Sequence, residues 1–89
     1  MSMVEEGCVL SPGARRALLK HRRDDGGLSE HVLGKDDAEE LWFCSMLSQI
    51  HHGIKLVTRE AWTGGDSIVW SYTLTEEGKR VRAAALRDA

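Results

Sequence analysis

The sequence predicts one small α+β domain built as helix, short helix, helix, two-stranded hairpin and C-terminal helix. Three observations carry this. Ser67 to Leu74 alternates with period two, Ile68, Trp70, Tyr72 and Leu74 on one face and Val69, Ser71 and Thr73 on the other, as in a half-buried strand. Ile54 to Glu60 forms the preceding strand, and Thr63-Gly64-Gly65-Asp66 the reversal between them, where glycine supplies positive φ. Helix-start signals stand on both sides: Ser11-Pro12 early in the chain and Thr75-Glu76-Glu77 after the hairpin, with Ser and Thr as caps, Pro fitted to the first helical position, and acids suited to the first turn.

Eighty-nine residues, 42% hydrophobic and 29% charged, fit a single globular core. The net charge of −2 runs mildly against a nucleic-acid partner, since such domains are usually basic. No apolar run approaches the roughly 20 residues that span a bilayer. Met1-Ser2-Met3-Val4-Glu5-Glu6 is acidic and unlike a signal peptide, so a cytoplasmic location away from membranes is expected. Cys8 and Cys44 are too few and too far apart for a metal motif or disulfide scaffold, and are read as reduced and structural.

In chain order, residues 1–10 are a tail and residues 11–88 the domain. The first helix is expected from Pro12 to about Arg23, with Ala14, Ala17, Leu18 and His21 inward and Arg15, Arg16, Lys20, Arg22 and Arg23 outward. Asp24-Asp25-Gly26-Gly27 ends it. The charge then inverts, with seven acids against Lys35 between Asp24 and Glu40. Leu28 to Leu33 reads as a short helix with Leu28, Val32 and Leu33 inward, stopped by Gly34. A third helix, Asp37 to His51 or His52, carries the apolar stripe Trp42, Phe43, Met46, Leu47 and Ile50 at spacings of three and four. That stripe is expected inward, leaving Asp37, Leu41, Cys44, Ser45, Ser48 and His52 outward. The last helix continues an inward face from Leu74 and Gly78 through Val81 and Ala85.

Two strings carry a family resemblance. His52-Gly53-Ile54-Lys55-Leu56-Val57-Thr58-Arg59 resembles the passage from recognition helix to wing in bacterial MarR-like and PadR-like regulators. Tyr72-Thr73-Leu74-Thr75-Glu76-Glu77-Gly78-Lys79-Arg80 resembles the passage after their wing. The resemblance implies a winged helix-turn-helix fold and a dimeric DNA-binding transcription regulator. The third helix would enter the major groove with the wing near the minor groove. Dimerisation through the first and last helices is the corresponding expectation.

Under that implication Arg15, Arg16, Lys20, Lys55 and Arg59 contact phosphates, and Ser45, Ser48 and Gln49 face bases. The chain departs from the family at its third helix, whose outward side offers no Arg or Lys and whose start carries Asp37, Glu39 and Glu40. These would repel phosphate at what is otherwise an anion-favouring helix end. The alternative is a winged-helix module that binds protein instead of DNA through the acidic and apolar third-helix surface. Leu41, Cys44 and Trp62 would then be contacts, with Trp62 otherwise folded back on the hairpin. His31, His51, His52 and Cys44 make a poor chelate, because adjacent helical histidines diverge by about 100°. No metal or other cofactor is expected. No nucleophile–base constellation or phosphate-cradling loop is present, so no enzyme is predicted.

Overall fold

The computed structural model describes residues 10–21 and 27–87. They form an α+β domain of four helices and a three-stranded antiparallel sheet, ordered α1 (Pro12–Lys20), β1 (Leu28–Ser29), α2 (Glu30–Leu33), α3 (Lys35–His52), β2 (Val57–Gly64), β3 (Ser67–Leu74) and α4 (Glu76–Arg87). Tail residues 1–9, the expected turn at residues 24–26, and Arg22 and Arg23 lie outside the described residues.

The start of α1 and the end of α3 follow the predicted signals. In contrast, α1 stops at Lys20 short of Arg23, and α2 starts at Glu30 after a Ser29 cap. The α3 helix starts at Lys35, ahead of the expected Asp37, with Gly34 as its N-cap and no side-chain cap bond. Ser11 Oγ accepts the Ala14 N–H at 3.2 Å and Pro12 opens α1. Ser29 Oγ accepts the Val32 N–H at the start of α2. Gly53, at φ 70°, closes α3 in the left-handed conformation, and its N–H meets the Gln49 carbonyl at 3.0 Å.

The hairpin is shifted from its expected position. The β2 strand begins at Val57 and runs through Gly64, paired Val57↔Leu74 to Gly64↔Ser67, so only Gly65 and Asp66 form the turn. The backbone of residues 54–56 makes other bonds: Ile54 N–H to the Ser48 carbonyl, and the Leu56 carbonyl to the Thr75 N–H. A third strand also joins the expected two. Leu28 and Ser29, assigned to the short helix from sequence, pair with Tyr72 and Ser71 at the other edge of β3. Sheet order is therefore β1-β3-β2.

Alternation in β3 is as predicted. Leu74, Tyr72, Trp70 and Ile68 share a face with Val57, Arg59, Ala61 and Thr63. Tyr72 is fully buried, whereas Ile68 at the distal end is 58% exposed. The far half of the hairpin thus projects beyond the core. Ala14, Ala17, Leu18 and His21 face inward as expected. The His21 ring nitrogens lie 3.2 Å from the carbonyls of Ala17 and Tyr72, joining α1 to β3. In α2 the inward residues are Leu33 and Glu30, while Val32 is exposed.

The largest correction concerns α3, which is turned about its axis relative to expectation. Ala38, Leu41, Ser45 and Ser48 are buried, and Phe43, Met46, Leu47 and Ile50 are exposed. At 100° per residue these two sets lie on opposite sides of the helix. Trp42, expected in the core, is half-buried at its edge. Small residues face inward because α3 packs closely on α1, whose facing residues include Gly13, Ala14 and Ala17.

Ser45 explains the orientation further. Its hydroxyl accepts the N–H groups of Leu56 (2.9 Å) and Val57 (3.2 Å), with the Val57 carbonyl 3.5 Å away to take its proton. Buried amides need such partners. The hydroxyl joins the start of the hairpin to α3.

Candidate interaction surface

The residues proposed for phosphate contact are mostly bonded within the domain. Arg15 donates to the Ala85 carbonyl at 3.0 Å, holding α1 to α4. Arg16 makes a two-pronged pair with Asp37, both contacts at 3.0 Å. Its hydrogen bonds hold the Asp37 carboxyl below its ordinary value of 3.8. Any stability from the pair is therefore present above that value and lost as pH falls through the lowered one. Lys20 donates to the Leu33 carbonyl at 3.1 Å.

Arg59 lies on the core face of β2. Its guanidinium carbon is 4.2 Å from the Trp42 ring centroid and 4.0 Å from that of Trp70. Trp42 is on α3 and Trp70 on β3, so the cation between two indoles fixes the hairpin against the helix. Of the five cations, Lys55 alone remains exposed with no side-chain bond among the described residues.

The base-facing candidates separate. Ser45 and Ser48 are 2% and 6% exposed, too deeply placed to reach a groove, while Gln49 stays outward. Among the alternative contacts Leu41 is fully buried, a correction that follows from the turn of α3. Cys44 is half-buried, with its sulfur 4.0 Å from Ser11 Oγ. Trp62 is 61% exposed and pairs across the strand with Val69 on the outer sheet face. Among the described residues no group of three or more His, Cys, Asp or Glu is placed to hold a metal. No helix of the described residues is long and apolar enough to cross a membrane.

What α3 presents outward is an apolar stripe with acids at its N-terminal end. Phe43 and Ile50 are 57% and 71% exposed, with Met46 and Leu47 near 40% between them. Phe43 and Leu47 also line an open groove with Leu10, Cys44, Asp36 and Glu39. The acids divide by role. Asp37 is paired with Arg16, and Glu40 accepts the Ser11 hydroxyl at 2.7 Å beside the α1 N-terminus, where an anion suits the helix dipole. Asp36 and Glu39 remain exposed on the stripe.

Sequence reasoning found these apolar residues but placed them inside. The available signal was the second stripe, Ala38, Leu41, Ser45 and Ser48, at the same spacing. A helix with two such faces needs its neighbour's residue sizes to decide which is covered. Comparison with protein-family models, curated proteins and solved structures returned no match.

Proposed function

We propose that this chain is a protein-interaction domain of winged-helix type, whose third helix lays an apolar face on a protein partner. The element order supports the winged-helix part: helix, short helix, helix, hairpin, helix, with the added β1 strand lying against β3. The strings at residues 52–59 and 72–80 support it as well. The observation that carries the interaction part is the exposure of Phe43, Met46, Leu47 and Ile50 together on α3. Contiguous apolar surface left in water marks interaction sites, and burying it contributes about 25 cal/mol per Å².

Duplex DNA is the second reading and finds less support at the same surface. Base edges are read by hydrogen-bonding side chains, and of the proposed readers only Gln49 is outward. Asp36 and Glu39 would repel phosphates, and four of the five proposed phosphate contacts are engaged within the domain.

Titration with random and native upstream duplexes at low and moderate salt tests the choice. No saturable binding is expected. Affinity that falls steeply with salt, as counterion release requires, and that Phe43→Glu weakens would overturn the proposal.

A further inference from the structure

Asp36, Glu39, Phe43 and Leu47 follow one another on α3 at spacings of three and four, and together they line the groove whose opposite wall is Leu10 and Ser11. The acids stand at one end, and the apolar pair lies about 10 Å further along the helix, two turns on. Glu40 also lines the groove but is engaged by the Ser11 hydroxyl. Asp36 and Glu39 are exposed and make no hydrogen bond or ion pair among the described residues. Lys35 does not line the groove. At 100° per residue it is turned about 140° around α3 from Glu40, whose carboxylate faces Ser11. The charged groups that line the groove are thus all acids, and two of them have no counter-charge among the described residues.

A complementary partner brings apolar side chains to Phe43 and Leu47 and cations to Asp36 and Glu39. An amphipathic helix can do both. Its apolar stripe lies in the groove, while long Lys or Arg stems run along apolar surface and put their charged heads at the carboxylates. An acidic helix would set like charges together, which electrostatic complementarity disfavours. We infer that the occupant of this groove is an amphipathic helix of another protein, carrying Lys or Arg two turns from an apolar pair. The inference rests on the protein-interaction reading and names the chemistry of its partner.

Two labelled, alanine-rich peptides of about four helical turns, titrated with the full chain and followed by fluorescence anisotropy, test this. One carries two Leu at one-turn spacing and two Lys on the same face two turns away. The other has Glu in place of Lys. The lysine peptide should bind saturably and about tenfold more tightly than the glutamate peptide. That preference should shrink several-fold as salt rises from about 0.05 to 0.5 M, because exposed charges are screened. Phe43→Glu should abolish binding of the lysine peptide. Asp36→Lys with Glu39→Lys should reverse the preference, and the gain of glutamate-peptide binding shows that this variant is folded. Glu60→Lys with Asp66→Lys makes the same change of net charge at exposed positions of the hairpin and should leave the preference as it was.

Equal binding of the two peptides, a preference for the glutamate peptide, or a reversal produced equally by the hairpin variant would each overturn the inference and leave the protein-interaction reading standing. Binding of neither peptide would overturn it as well. Sedimentation equilibrium then shows whether a second copy covers the face, at twice the 9.9 kDa chain mass, or whether a monomer leaves it to a partner of other chemistry. Duplex binding lost on Phe43→Glu removes the protein-interaction reading itself.

Discussion

Gly78→Ala is expected to destabilise the domain by about 3 kcal/mol, although a helix-interior Gly→Ala change ordinarily stabilises by up to about 1 kcal/mol. The reversal comes from the packing of α4 on the start of the hairpin. A Cβ at residue 78 would fall well inside contact with the Leu56 carbonyl oxygen, which is backbone and has little room to move. That carbonyl accepts the Thr75 N–H at 3.0 Å. Thr75 Oγ1 also accepts the Gly78 N–H at 3.0 Å and donates to the Lys55 carbonyl. One added methyl therefore separates α4 from residues 55–56 and strains the cap of the same helix.

Urea unfolding followed by tryptophan fluorescence should show a lowered midpoint with an unchanged slope. Gly13→Ala is the internal control. The three atoms nearest its Cβ all belong to the end of the Glu40 side chain, which can rotate away, so an effect below about 1 kcal/mol is expected. Equal losses for the two changes would contradict the account of Gly78.

Ser45→Ala should cost a similar amount, about 3 kcal/mol, because it orphans two buried amides at about 1–3 kcal/mol each. The Leu56 and Val57 N–H groups both point at this hydroxyl and sit where the chain enters β2. A base-reading serine on an exposed helix face would tolerate the change with no loss of stability. Gln49→Ala, on the outward side, should stay within about 0.5 kcal/mol. Chemical denaturation of the two variants side by side measures the difference. A silent Ser45→Ala would mean that α3 is not turned as described.

These two residues also show what the sequence made legible. The helix starts at Ser11 and Thr75, the stops at Gly34 and Gly53, and the alternation of β3 were readable because each is a local property of backbone and side chain. Gly78 and Thr75 were visible as a motif, but its cause is a contact with residues 55–56, some twenty positions away. The strand Leu28–Ser29 was unreadable because two residues carry no period, and their pairing depends on where β3 lies.

The orientation of α3 was misread for a related reason. Bulk and hydrophobicity favoured Phe43, Met46, Leu47 and Ile50 as the buried set. Close approach to Gly13, Ala14 and Ala17, and the amides awaiting Ser45, favoured the smaller residues. The cations of α1 looked like a phosphate surface because their acceptors, Ala85 and Leu33 carbonyls and the Asp37 carboxylate, are distant in sequence. With the helix turned, the apolar stripe becomes the surface that needs a partner.

Whether that surface is covered by protein in its working state can be measured by carbene footprinting of the chain inside the cells that produce it. The dilute purified chain serves as the exposed reference. Phe43, Met46, Leu47 and Ile50 should be labelled several-fold less in cells, while Trp62, Ile68 and Leu86 on other exposed surfaces should label alike in both. Equal labelling of the α3 stripe in cells and in dilute solution would contradict its role as a protein-docking face.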